Sequence, residues 1–381
     1  MKRLFGIVLC ACTQIAAAHG VTLLLRADDA RLERSRVERA YLGHPGGPAS
    51  DGLELALADA RIELEAARAK LDLEVVHVAS PAAARDAAIK AQTVGRAALV
   101  ADLPAEWLLA AADAAKLPLL NVGDAADRLR EQDCRPQLKH LLPSERMRVD
   151  ALAQWLAGQR WTQVLLLTGP AADDALRAAA VRKAITRYGL RLVAERSFKL
   201  SADPRERDKA NLRLLTSGVT YDAIWVVDSD GEFARTLPYR SVLPRPVVGD
   251  AGMVALAWAP GFERFGAPQL ARRFVRRAGR PMTDRDWSAW VAGKLLVAAA
   301  IATPKGTPAV LAKMLASAEV DGGKGVSLSL RSWDGQLRQP LLLTDGQGVI
   351  ASAPLDGMLH AKNTLDTLGA DAPERLCKSN L

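Results

Sequence analysis

The stretch LEVVHVASPAAARDAAIKAQTVGRAALVADLPAEWLLAAADAAKLPLLN, residues 73–121, decides the fold. It opens on a β-branched run at 73–78 that Ser80-Pro81 closes, and continues as a helical period at 82–94. A short apolar run at 97–101 follows, then a second helical period at 104–116 with Pro104 at its start, then a run at 118–121. Proline is tolerated in a helix's first turn and breaks it elsewhere, so these boundaries are readable without homologues. Short strands alternating with longer helices predict right-handed β-α-β units and a parallel sheet covered on both faces.

Outward from this stretch the same alternation extends in both directions. Upstream lie a buried strand at 21–25 and a helix at 52–70, which complete a first lobe by about residue 121. Downstream, Val149, Leu152, Ala153 and Leu156 share one helical face, and a strand at 163–168 follows. The next helix carries Asp173 and Asp174 in its first turn, Lys183 and Arg187 near its end and Gly189 beyond, as the macrodipole and C-cap rules require. A strand at 191–197, a helix at 205–215 and strands at 223–227 and 246–248 make a second lobe. Helices then return at 268–278, after the Thr283 cap through Trp287, Trp290 and Val291, and at 308–316. The fold class expected is α/β, with two doubly wound parallel-sheet lobes around a cleft.

The 381 residues suffice for two or three domains, and 49% apolar with 25% charged residues is ordinary globular composition. Formal charge is +8, but the basic residues alternate with acidic ones and no Lys/Arg block with interleaved aromatics marks a nucleic-acid groove. The first eighteen residues read as a signal peptide, with Lys2 and Arg3 as the basic region, an apolar run at 4–12 and Ala16-Ala17-Ala18 as the cleavage site. Its removal leaves His19 first and a balance of +6, and places the protein in the periplasm. The competing reading is a lipobox with Cys12 lipidated. Cys134 and Cys377 then remain, an even pair that reads as one disulfide in an oxidising compartment, against the alternative of two buried thiols.

Signatures of catalysis are nearly absent. No Gly-x-Gly-x-x-Gly follows a strand, Gly323-Lys324-Gly325 lacks the remainder of a phosphate loop, and no Gly-x-Ser-x-Gly elbow occurs. The five histidines never fall at zinc spacing, so no metal is expected. Asp228 and Asp230 could pair as acid and base, but capping is the commoner use of Asp-Ser-Asp-Gly. In doubly wound lobes, ligands bind beyond the carboxyl ends of the strands. That rule selects Arg26, Asp102, Asn121, Thr168, Asp228 and Asp250.

The crossover stretch His140-Leu141-Leu142-Pro143-Ser144 before a helix, and the run from Lys324 to Leu330 before Asp334-Gly335, resemble the type I periplasmic solute-binding proteins of the branched-chain amino acid class. This resemblance implies a three-crossover hinge, lobe 1 at 19–140 plus 255–330, lobe 2 at 141–254 plus 331–381, a monomer without enzymatic activity or required cofactor, and ABC permease subunits as partners. More narrowly, Leu237-Pro238-Tyr239-Arg240, Pro244-Arg245-Pro246-Val247-Val248-Gly249 and Gln336-Leu337-Arg338-Gln339-Pro340 resemble the branch associated with quinoprotein alcohol oxidation. That branch implies pyrroloquinoline quinone as ligand and a quinoprotein dehydrogenase as a further partner. The Ser/Thr-rich segments of amino-acid binders are missing, since the corresponding strand ends read Ala101-Asp102-Leu103-Pro104 and Leu120-Asn121-Val122-Gly123. Arg26, Lys139, His140 and Arg240 are the expected carboxylate partners, and Lys139 could also add to a quinone carbonyl. Trp258, between a glycine turn and Pro260, is the expected stacking residue, whereas Trp155, Trp225, Trp287 and Trp290 fall in core periods. Binding of amino acids or other small organic acids, a ligand sensor and an α/β enzyme are the alternatives.

Overall fold

The computed structural model describes residues 18–33 and 42–378; the expected leader, Ala18 apart, lies outside them. The first sheet comprises β1 (Ala18–Arg26), β2 (Lys70–Val78), β3 (Ala98–Asp102), β4 (Leu119–Asn121) and β5 (Leu138–His140) in the order β2-β1-β3-β4-β5, all parallel. The second comprises β6 (Gln163–Thr168), β7 (Arg191–Ser197), β8 (Ala223–Val227) and β9 (Val247–Gly249) in the order β7-β6-β8-β9, again parallel. The two orders repeat one pattern. Central strands β3 and β8 are buried at every residue, which is why they read as unbroken apolar runs, while edge strand β2 alternates.

Between the strands run α1 (Ser50–Asp59), α2 (Arg61–Ala66), α3 (Pro81–Thr93) and α4 (Ala105–Ala114) in the first half. The second half carries α5 (Glu145–Gly158), α6 (Ala172–Arg187), α7 (Leu212–Thr216) and α8 (Leu237–Arg240). Then come β10 (Val254–Leu256), α9 (Ala267–Ala278), α10 (Asp284–Ala302) and α11 (Pro308–Ser317). Helix α10 starts as expected, with Thr283 and Asp286 in a reciprocal capping box. The chain closes through short antiparallel strands β11 (Val320–Asp321), β12 (Ser327–Leu330), β13 (Leu337–Arg338), β14 (Leu341–Thr344) and β15 (Val349–Ala353).

Three expectations need correction. The first sheet does not end at residue 121, because Leu138–His140 adds a fifth strand beside β4; three residues are too few to show a period. The helix at 52–70 is two helices that both pack on α10, parted at Ala60, whose ψ of 5° leaves the helical range. The helix at 205–215 is a 3-10 turn at Pro204–Ala210, which buries nothing, followed by α7, restarted where Asn211 accepts the Arg213 and Leu214 amides.

Helices α9 to α11 share one apolar cluster with α1 and with Leu23, Leu25 and Val100 of the first sheet. The α1 to α10 crossing is close. A Cβ at Gly52 would stand 2.1 Å from the Asp286 carbonyl oxygen, so no larger residue fits there. Helices α5 and α6 pack with β6 and β8 in a second cluster. Strand β14 serves both clusters by alternation, Leu342 pointing into the first and Leu341 and Leu343 into the second. The Gln336 side chain donates to the carbonyls of His140 at 3.1 Å and Leu142 at 2.9 Å, tying the strand-to-helix passage at 140–145 to the segment before β13. Cys134 and Cys377 are disulfide-bonded with Cα atoms 5.6 Å apart, joining the loop before β5 to the C-terminal tail.

Candidate functional site

The carboxyl ends of both sheets carry arginines already held by carboxylates. Asp102, the last residue of β3, accepts from Arg31 Nη2 at 2.9 Å and lies 3.3 Å from Arg285 Nη1. Arg31 occupies a 3-10 turn capped by Asp29, whose carboxylate also takes Arg31 Nε at 2.8 Å. Arg285 is the second residue of α10 and donates to the Gly123 carbonyl after β4. Burial opposes charge on Arg31, but its hydrogen bond to Asp29 and the Asp102 and Asp29 charges outweigh that and raise its pKa. Arg285 is lowered by burial and by the neighbouring Arg31 charge. One carboxylate thus holds two like charges side by side, on side chains that are each only partly exposed. Arg26, at the end of β1, lies 5.4 Å over the ring of half-buried Trp107 in the first turn of α4.

The second sheet's edge is more acidic. Asp250, just past β9, accepts from Arg177 Nη2 at 2.5 Å and from the Asp228 amide at 2.6 Å. Arg177 also lies 3.3 Å from Glu145 at the start of α5. Asp228 Oδ2 accepts the Ala234 amide at 2.9 Å, and burial raises its pKa. Asp174, in the first turn of α6, accepts the Ser229 amide at 2.8 Å. The Asp228-Ser229-Asp230-Gly231 segment therefore uses Asp228 as a backbone acceptor, in keeping with capping. Thr168 Oγ1, at the end of β6, is buried without a hydrogen-bond partner. Arg148 of α5 spans the two halves, donating to Asp284 of α10 and to the Ala255 carbonyl, each at 2.8 Å.

Of the residues expected from sequence, the structure brings Arg26, Asp102 and Asn121 to the first sheet's edge and Thr168, Asp228 and Asp250 to the second's. Asn121 is consumed structurally, accepting the Gly123 and Asp124 amides and donating to the Asp124 carbonyl. Of the other four, His140 ends β5 at the same edge as Asn121, and three lie elsewhere. His140 is buried beside Asn121 Nδ2 at 3.1 Å, and burial, with Arg130 and Lys139 nearby, holds its pKa well below the usual value, so it is no cation. Lys139 donates to the Pro136 carbonyl at 2.7 Å, on the entering side of β5. Arg240 is exposed at the end of α8; the adjacent Val242 amide donates to Thr216 in the approach to β8, which places Arg240 toward the amino edge of the second sheet. Trp258 is core: only 1% exposed, it stacks on Trp287 with ring centroids 6.5 Å apart.

Sequence reasoning missed Arg31, Arg285, Arg177 and Trp107. Each stands in the turn or first helical turns beyond a strand end or cap, not on the strand's last residue, and Trp107 five positions past Asp102 was within reach of the same rule. Among the described residues, no group of three or more His, Cys, Asp or Glu is placed to hold a metal, and no helix is long and apolar enough to cross a membrane.

No protein-family model and no curated protein matches the chain. Solved structures do. A solute-binding protein of an ABC transporter from R. palustris, in complex with benzoate, matches with TM-score 0.66 and 16% identity over 93% of this chain and 98% of that one. A second, from Rhodopseudomonas palustris BisB5 in complex with 3,4-dihydroxy benzoic acid, matches with TM-score 0.66 and 14% identity over 88% and 97%. The leucine-, isoleucine-, valine-, threonine- and alanine-binding protein of Brucella ovis, in its closed conformation, gives 0.66 and 14% over 86% and 89%. The chain has the type I periplasmic binding protein fold.

Proposed function

We propose that this protein is a periplasmic solute-binding component of an ABC importer, with no enzymatic activity and no required cofactor, that captures a small aromatic carboxylate between its two lobes. Under this reading lobe 1 spans 19–140 plus 255–330 and lobe 2 spans 141–254 plus 331–381. The observation that carries it is the Arg31 and Arg285 pair converging on Asp102 at the edge where this fold receives ligands. Guanidinium groups recognise carboxylates bidentately, and Asp102 prepays the ordering of both. Neighbours of the same fold that bind benzoate and 3,4-dihydroxy benzoic acid support an aromatic acid. Pyrroloquinoline quinone, planar with three carboxylates, is the leading member of that class, supported by the short runs at 237–240, 244–249 and 336–340. Trp107, not Trp258, would offer the ring face.

The acidic second edge favours one other reading. Asp250 and Glu145 hold the single guanidinium of Arg177, and Asp228 and Asp174 stand at the same edge, an acidic excess that suits the ammonium of an amino acid better than a polyanion. Titration calorimetry of the leaderless protein with pyrroloquinoline quinone, benzoate and leucine separates the two. An acid ligand should bind in a salt-sensitive way, and Arg31→Met or Arg285→Met should weaken it about tenfold or more, since charge-assisted hydrogen bonds contribute ~1.5–3 kcal/mol. Leucine binding without binding of either acid would replace the aromatic-acid reading by the amino-acid one.

A further inference from the structure

Helix α9 is the most basic element among the described residues, and its arginines divide into two sets. Arg273 pairs with Asp59 at 3.0 Å, Arg277 with Glu54 at 2.6 Å, and Arg280, just beyond the helix, with Asp51 and Asp286. Those acids belong to α1 and the first turn of α10, so this set fastens the helix to its neighbours. Arg272 and Arg276 differ. They are exposed, stand one turn apart on the same face, and meet no acidic partner among the described residues.

Between these two side chains and the chain that approaches α10 lies an open groove of about 470 Å³, with Pro260, Val275, Pro281 and Met282 as its apolar lining. Val275 is 45% exposed and Phe265, just before the helix, 58%. Exposed apolar surface rimmed by polar groups marks interaction sites, and aromatic residues, methionine and arginine are enriched where proteins meet. A concave slot with proline lips suits a protruding chain segment better than a flat bilayer. Its openness to solvent on one side suits a small ligand less well, because small-molecule sites enclose most of their ligand.

We propose that this groove docks an acidic segment of a partner protein, one that sets an apolar side chain against Val275, Pro260 and Pro281 and its carboxylates on Arg272 and Arg276. The inference stands apart from whatever fills the interlobe cleft. Its test is fluorescence anisotropy of the full leaderless protein with a fluorescein-labelled decapeptide of alternating glutamate and leucine. Two comparison peptides replace leucine by serine or glutamate by lysine.

Micromolar binding of the first peptide, weakened about tenfold or more by Arg272→Glu with Arg276→Glu and severalfold by Val275→Ser, is the expected result. Arg207→Glu with Arg213→Glu, the same charge change on exposed sites of the other half, should leave it intact, as should saturation of the cleft with its ligand. Hydrogen exchange should show protection confined to residues 260–282. No binding, binding that ignores the Arg272 and Arg276 reversals, or protection elsewhere would overturn the proposal. So would a dimer, or co-sedimentation with anionic vesicles, that those reversals abolish, since either assigns the groove to another occupant. Loss of peptide binding with cleft binding retained refutes the groove alone.

Discussion

Asp127→Asn should make the protein more stable at pH 8. Asp127 opens the 3-10 turn Asp127–Leu129 and its Oδ1 accepts the Arg146 amide of α5 at 2.9 Å, across the first passage from sheet to sheet. Burial, reinforced by Glu145 and Glu131 against the amide bond and Arg130, raises its pKa to about 6. In the unfolded chain a carboxyl titrates near ~3.9, so the folded state holds the proton more tightly and ionisation opposes folding. The penalty is fully present above pH ~6, shrinks as pH falls through 6 and is absent below ~4. A shift of about two units corresponds to about 3 kcal/mol; because the residue is only half-buried, roughly half of that should be realised. Asparagine keeps the acceptor for the Arg146 amide and removes the charge. Calorimetric melting at pH 8 should therefore rise by about 2–6 °C, at 2–4 °C per kcal/mol for a protein of this size, with the difference gone by pH 4. A lower Tm at pH 8, or a difference independent of pH, would refute the reasoning.

Replacing Cys134 and Cys377 by Ser frees a closure spanning 243 residues, and should cost about 2–5 kcal/mol on a chain-entropy account; equilibrium denaturation should show it, and reductant should reproduce it in the native protein. Trp258→Ala should destabilise by about 3–5 kcal/mol through the cavity left against Trp287, while Trp258→Phe should cost far less, since the indole N–H has no partner to lose; if Trp258→Phe instead abolished ligand binding with Tm unchanged, the residue would be a contact after all. Lys324 is buried with Nζ 3.0 Å from the Pro340 carbonyl and 3.6 Å from the Trp287 ring centre, and burial pushes its pKa well below 10.5 against the Asp284 charge. The folded state thus prefers the neutral amine, and stability should climb as pH rises toward 10.5; Lys324→Met should remove that slope and be neutral or stabilising at pH 7, and a large loss of Tm at pH 7 would show the cation to be needed.

The fold was legible where burial on both faces imposed a run of one character. Strands 163–168 and 223–227 stand where they were read, because a central parallel strand permits little but apolar residues; edge strand 191–197 also stands where it was read, though its residues are mixed. Helix α10 was legible from Thr283, since a capping box marks its own position. The three-residue strand β5 and the short strands β10 to β15 were not, because pairing partners distant in sequence supply their order. Val254 faces Thr344 and Ala255 faces Leu343, contacts nearly ninety residues apart that no local period encodes.

The site was harder to read for a different reason. A strand's last residue is predictable from its run, and the carboxyl-end rule did bring Asp102 and Asp250 to the edges of the two sheets. Their chemistry, however, depends on what the following turns place against them. Arg31 reaches Asp102 only because Asp29 caps a short turn, and Arg285 only because Thr283 starts α10 some 180 residues later in the chain. Conversely, Lys139, His140 and Trp258 had the right side chains in the wrong surroundings: a backbone carbonyl, a buried asparagine and a second indole already occupy them. Residue type proposes a partner, and burial decides whether it is free to take one. By that criterion Arg31 and Arg285 are the better candidates for the carboxylate partners of the proposed ligand, because each side chain stays partly exposed while its geometry is fixed from behind.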